Sequence, residues 1–197
     1  MEGNIKLIKK IALVGTHSCG KTTVINDVSD RLMLDGYVFG KGIEVTRACP
    51  YKLNKDATFL TQWYVLSKQI EMEANLARAY SQMLLDRSVF DVLAYTFRQS
   101  KYGMIATEEY LVIKDAVRGW SDWFPYDILI HLEPLEEVED DGVRDTDKKY
   151  QIEIYNIVNM MLANDVPPKT KVIDIKTLDR KKRADKVYKI IKEVFRK

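Results

Sequence analysis

At 197 residues the chain is the size of one domain, and 46% apolar with 30% charged residues gives it enough to bury a core. That excludes a disordered or fibrous polymer. A formal charge of +2 argues against a global field for nucleic acid, and no apolar run approaches a membrane span. The start MEGNIKLIKK has no apolar signal core, and Cys19 and Cys49 form neither a zinc pattern nor a disulfide framework, so a cytoplasmic protein is expected. Charge is uneven along the chain: 133–141 is acidic and 179–197 basic, both as expected of solvated surface.

In chain order, Ile11–Val14 is a short apolar run before a glycine and reads as a buried parallel strand. Thr22–Leu34 carries Val24, Ile25, Val28 and Leu32 at helical spacing and ends at Gly36. Tyr37–Val45 is predicted as a second strand. Ala57–Tyr80 is a long helix with an apolar stripe of Leu60, Trp63, Ile70, Ala74 and Ala77. A third strand over Met83–Leu85 ends at Asp86, and helices follow over Val89–Phe97 and Glu108–Trp120. Asp127–Leu132 is the fourth strand, Asp145–Ala163 a helix, Val172–Ile175 the fifth strand and Lys181–Phe195 the closing helix. Strands alternating with helices predict a parallel five-stranded sheet covered on both faces, with right-handed crossovers, in one domain over residues 1–197.

The first strand runs into Gly15-Thr16-His17-Ser18-Cys19-Gly20-Lys21-Thr22, a G-x-x-x-x-G-K-T segment that opens a helix. In that setting successive backbone N–H groups curl around a phosphate, aided by the positive end of the helix. Gly15 through Thr23 is therefore the candidate nucleotide-binding stretch, with Lys21 on the β- and γ-phosphates of ATP and the Thr22 hydroxyl on Mg²⁺. His17 and Cys19 fill variable positions. Asp86 stands at the carboxyl end of the third strand, where open parallel sheets place their ligands, and can reach Mg²⁺; it could instead cap the next helix. Arg87 beside it can grip a phosphate through two N–H groups.

The stretch DRSVFDVLAY, 86–95, resembles the D-R-[Y/H/S] segment of thymidylate kinases and the E-R-S segment of deoxynucleoside kinases. With the phosphate loop it identifies the chain as similar to the P-loop nucleoside and nucleotide kinases, over most of its length. The segment EVTRACPYKLNKDATFLTQWYVLSKQIEME is closer to a branch labelled AAA-type ATPase domains, akin to ribosylnicotinamide kinase. The resemblance implies a three-layer α/β/α sandwich. It also implies roles: Glu44 as the base for an acceptor hydroxyl, Arg47 beside the acceptor, and a lid over about 136–150 whose Arg144 folds over the phosphates. The sequence reads TRACP where thymidylate kinases have TRE, so that specific pattern is broken. Adenine in this group rests near the last strand–helix loop, here Lys176–Asp179.

Gln62, Gln69 and Glu73 fall seven and four residues apart and share one helix stripe. They either border the acceptor pocket, with Gln69 bonding a base edge, or form the polar edge of an amphipathic helix. Asp145 or Thr146 is expected to cap the following helix. Three function classes follow: a kinase for a small nucleoside or nucleotide, a polynucleotide 5′-end kinase favoured mildly by the basic tail, or a nucleotide-binding regulator with no acceptor. Long apolar helices in this group often build homodimers.

Overall fold

The computed structural model describes residues 8–135 and 147–196. Five parallel strands form one sheet in the order β2-β3-β1-β4-β5: β1 Lys9–Val14, β2 Gly40–Gly42, β3 Gln82–Asp86, β4 Ile128–Leu132 and β5 Lys171–Ile175. The helices are α1 Lys21–Leu34, α2 Phe59–Ala79, α3 Val89–Lys101, α4 Thr107–Trp123, α5 Lys148–Asn164 and α6 Arg180–Phe195. Two 3₁₀ turns, Val45–Ala48 and Asn54–Asp56, lie between β2 and α2.

The central strand explains the layering. Along β1, Ile11 and Leu13 point to one face and Ala12 and Val14 to the other, and all four are buried. The first pair packs with Val24, Val28 and Leu32 of α1 and Val187, Ile191 and Phe195 of α6. The second pair packs with residues of α2 to α5, among them Leu66, Phe90, Ile113 and Ile154. A strand buried on both faces must be apolar throughout rather than alternating. The helix after β1 therefore lies on one face and the helix after β3 on the other. Because β1 and β3 are neighbours, with Leu13 opposite Asp86, a crevice opens between their carboxyl ends.

Two expected elements differ. The second strand is only Gly40–Gly42, because its glycines are needed for close packing. A Cβ on Gly40 would lie 2.8 Å from Tyr80 Cδ2, and one on Gly42 2.5 Å from Leu85 Cδ2. Tyr37 and Phe39 leave the sheet to pack on Phe195, and Ile43 is exposed. In α2 the predicted apolar stripe is only partly inward: Ile70 and Ala77 are partly buried against the core, but Leu60 and Trp63 are 57% and 40% exposed. Thr61, Gln62, Val65, Leu66, Gln69 and Glu73 are buried instead. Helix α5 is capped by Asp147, whose carboxylate accepts from Lys149 N at 2.8 Å, and not by Asp145 or Thr146. Those two residues, Arg144 and the expected lid up to 146 lie outside the described residues. No described helix is long and apolar enough to cross a membrane.

Candidate phosphate and acceptor site

The loop after β1 bends where the sequence allows it. Gly15 has φ 140° and Gly20 φ 81°, with Ser18 also left-handed at 53°. A Cβ on Gly15 would meet the Leu132 carbonyl at 2.9 Å, so only glycine fits. Lys21 Nζ donates to the Gly15 and Thr16 carbonyls at 2.8 and 2.7 Å and lies 3.4 Å from Cys19 Sγ. Cys19 is fully buried and unpaired, which makes it a filler behind the lysine. His17 stacks on Tyr150, and both its N–H and its ring Nδ1 lie 3.1 Å from the Tyr95 hydroxyl. Thr16 and His17 thus face inward, while Ser18 to Thr23 line a cleft with Glu44, Arg87, Leu135 and Arg180.

Asp86 is not a helix cap. Ser88 caps α3 in a reciprocal box with Asp91, and Asp91 also accepts from Gly15 N at 3.0 Å, tying the loop to α3. Asp86 Oδ2 accepts from the Thr22 hydroxyl at 2.6 Å. Its Oδ1 is buried with no partner among the described residues. Burial pushes the Asp86 carboxyl up, against the opposing pull of Lys21, the Thr22 bond and Arg87. A desolvated carboxylate with one oxygen unpartnered, beside a threonine hydroxyl, is a donor set that fits a hard divalent cation.

Arg87 is the most constrained residue of the site. It has φ 82°, a left-handed backbone that costs a non-glycine residue about 1–3 kcal/mol. From there its guanidinium meets Glu44 Oε1 through Nε at 2.8 Å and Nη2 at 2.7 Å. Burial works to lower its pKa, but Glu44, Tyr95, Asp91 and Asp86 outweigh it and hold the group well above its ordinary value. Arg47 Nε lies 3.5 Å from Glu44 Oε2. A second cavity adjoins the phosphate cleft, walled by Glu44, Arg47, Gln62, Val65, Arg87, Tyr95 and His17. Glu44 and Arg87 line both hollows and so stand at their junction.

Of the residues expected from sequence, Lys21, Thr22, Asp86, Arg87, Glu44 and Arg47 come together here. Gln69 does not. It is 1% exposed, and its amide donates to Glu73 Oε1 and the Arg87 carbonyl, so it cannot bond a base edge; Gln62 is the glutamine in the cavity wall. The 176–179 stretch is linked to the loop through Arg183, which donates to both the Thr177 and the Cys19 carbonyls. Sequence reading missed Arg183. It is 1% exposed and donates to three carbonyls: Cys19 at 2.5 Å, Thr177 at 3.0 Å and Glu133 at 3.0 Å. It pins the back of the phosphate loop to β4 and α6. Its signal was present in the four-residue spacing of Arg183, Val187, Ile191 and Phe195, which places it on the buried face of a basic helix.

Residues 10–183 match the model of an AAA-domain family. The chain belongs to that family. No curated protein matches it by sequence. Among solved structures it is similar to deoxyadenosine kinase from M. mycoides with products dCMP and a flexible dCDP bound, with a TM-score of 0.69 and 16% identity over 93% of this chain and 99% of that one. The same kinase with bound dATP gives a TM-score of 0.65 at 16% identity, over 93% and 99% of the two chains. NadR in complex with NR also gives 0.69 at 16% identity, over 94% of this chain but 52% of NadR, so the family member spans about half of that protein. The fold is therefore the three-layer P-loop nucleoside-kinase fold.

Proposed function

We propose that this AAA-domain protein is an ATP- and magnesium-dependent phosphotransferase that moves the γ-phosphate of ATP to a hydroxyl of a small nucleoside-type acceptor. The observation that carries this reading is the Glu44–Arg87 pair, which lines both the phosphate cleft and the adjoining cavity. The name of one structural relative, deoxyadenosine kinase, agrees with it. A hydroxyl acceptor needs a proton acceptor, and Glu44, at the junction of the two hollows, is the carboxylate proposed for that role. A phosphate acceptor would instead need cations without a carboxylate between them, and here Glu44 already engages both Arg87 and Arg47.

In this reading the loop amides of Gly15–Thr23 hold the ATP phosphates, and Lys21 leaves its carbonyl partners to follow the transferring charge. Thr22 and Asp86 would hold Mg²⁺, which when bound neutralises phosphate charge. Arg87 holds and orients the Glu44 carboxylate, and Glu44 takes the hydroxyl proton. Arg47 faces the acceptor at the cavity rim. Arg144 of the expected lid would add charge over the phosphates.

The test is transfer from labelled ATP with Mg²⁺ to a panel of deoxynucleosides, nicotinamide riboside, nucleoside monophosphates and a 5′-hydroxyl oligonucleotide. A nucleoside product is expected. Phosphorylation of the oligonucleotide alone, or hydrolysis that no member of the panel stimulates, would overturn the reading in favour of a polynucleotide kinase or a regulator without an acceptor.

A further inference from the structure

A second polar cluster lies beneath the site, sealed in the core. Glu73 of α2 is fully buried, and four donors converge on its carboxylate: Lys10 Nζ at 2.5 Å, the Tyr126 hydroxyl at 2.6 Å, Trp120 Nε1 at 2.7 Å and Gln69 Nε2 at 2.9 Å. Lys10 is fully buried as well. Its ammonium sits 3.8 Å from the Tyr126 ring centroid and 4.3 Å from that of Phe124, and donates to the Phe124 carbonyl at 2.9 Å. A carboxylate offers about four acceptor positions, and here all are taken.

The cluster has two outward branches, and both end on one turn. Gln69 has two amide hydrogens. One is given to Glu73 and the other to the Arg87 carbonyl at 3.2 Å. The Tyr126 hydroxyl gives its single hydrogen to Glu73, which leaves its lone pairs to accept from Val89 N at 3.1 Å. Because the Val89 N–H can only donate, the Tyr126 hydroxyl must turn its own hydrogen to Glu73, and the Gln69 amide nitrogen can only donate to both of its partners. The Arg87–Val89 turn is further held by Arg87 N donating to the Leu13 carbonyl at 3.0 Å and Ser88 N to Asp91 at 2.8 Å. A left-handed arginine persists only where its surroundings over-determine it, and this cluster supplies the part of that restraint that comes from α2 and the β4 entrance.

We infer that Gln69 and Tyr126, oriented by the buried carboxylate of Glu73, are positioning residues that lock the Arg87–Val89 turn and so aim Arg87 at Glu44. The functional consequence rests on the phosphotransfer reading above; the structural one does not. Neither residue touches the cavity or the phosphate cleft, so each acts only through Arg87.

The experiment uses the full chain with two variants. Gln69→Met frees the Arg87 carbonyl, and Tyr126→Phe frees the Val89 amide while keeping the ring. Ser121→Ala, which removes a buried donor of α4 remote from the turn, is the control. Amide hydrogen exchange over 86–90 is expected to accelerate about tenfold in each of the two variants, the size expected from one lost buried hydrogen bond. Exchange over α6 and in the control is expected to match the parent. Calorimetry with Mg–ATP should give a Kd within about twofold of the parent, since the phosphate loop is untouched. With an acceptor from the panel, kcat/KM for that acceptor should fall at least about tenfold at unchanged KM for ATP. Parent-like exchange at 86–90 in both variants, or equal acceleration throughout the chain, overturns the inference. If the parent phosphorylates no acceptor, the phosphotransfer proposal fails while the exchange result still decides this one. Should Gln69→Met not fold, Tyr126→Phe carries the same comparison.

Discussion

The two halves of the crevice are built from different materials. The proposed nucleotide side is one continuous stretch, 15–23, in which main-chain amides would hold the phosphates and Lys21 and Thr22 add the side chains. The acceptor side is assembled from side chains that are far apart in sequence: Glu44 after β2, Gln62 and Val65 on α2, and Arg87 and Tyr95 at the end of β3 and on α3. Backbone binding tolerates change at neighbouring positions but needs glycine at its bends. Side-chain assembly depends on each partner, and on what holds each partner in place. The two halves should therefore fail in different ways when mutated.

The largest effect is expected on the nucleotide side, at the one side chain there that follows charge. Lys21→Ala should reduce phosphoryl transfer by on the order of 10² to 10³. It should leave the fold intact, since Lys21 in the present structure bonds only loop carbonyls and Cys19. Far-UV circular dichroism and steady-state turnover measured on the same preparation check both parts. Retained turnover would mean that the loop amides suffice without the lysine.

Glu44→Gln should separate the halves. Mg–ATP binding by calorimetry should stay within about twofold, because Lys21 bonds the Gly15 and Thr16 carbonyls while Glu44 engages Arg87 and Arg47. Acceptor-dependent kcat falls by roughly 10² or more, because the amide cannot take the hydroxyl proton. Stability also falls, on the order of 3 kcal/mol in urea unfolding, because the buried Arg87 loses its close carboxylate and keeps Asp91 only at 3.8 Å. A loss confined to stability would remove Glu44 from the chemistry.

Asp86, bonded to Thr22 of the loop, gives a smaller, pH-dependent effect. Its carboxyl is pushed up by burial. A raised folded-state pKa means that its contribution to stability is full below the unfolded value of about 3.9 and is lost as pH rises through the folded value. At neutral pH the buried charge is therefore a cost to the nucleotide-free protein. Asp86→Asn should raise the Tm of that form by a few degrees at pH 7, with the gain vanishing toward pH 4. The same variant should lose most of its magnesium dependence in ATP binding. In the parent, ATP affinity in the presence of magnesium should weaken as pH falls through the Asp86 range, since a metal ligand must be deprotonated. Calorimetric titrations across pH, with and without magnesium, check the sign.

The same contrast explains what could be read from sequence. The sheet was legible because buried parallel strands are short apolar runs, and four of the five were found within about two residues at either end; β2 was overextended because Tyr37 and Phe39 belong to the α1–α6 core. The phosphate loop was legible because its residues are contiguous. Asp86 and Arg87 were legible because they end a strand. Glu44 and Arg47 emerged from family resemblance alone, since nothing local in 44–47 announces a partner more than forty residues on. Gln69 was placed on the right stripe but in the wrong role, because periodicity reports a shared face and not which side of the helix is buried. Arg183 was hidden in a run of basic residues, where composition suggested solvent and only the four-residue spacing pointed inward.

The smallest expected effect concerns that stripe of α2. Pattern alone assigns Leu60 and Trp63 to the core and Gln62, Gln69 and Glu73 to its edge; the structure reverses this. The reversal is stable because the buried polar groups satisfy one another. Glu73 receives four donors and Gln69 uses both of its hydrogens, so burying them leaves little unpaired. Leu60, at 57% exposed, has correspondingly little to lose. Leu60→Gln should change unfolding free energy by no more than about 0.5 kcal/mol. Leu66→Ala, six residues on and 1% exposed, should cost about 2–5 kcal/mol. Urea denaturation of the two variants side by side measures the contrast. If Leu60→Gln proves as costly as Leu66→Ala, then α2 turns its other face inward, and Gln62 and Val65 leave the acceptor wall with it.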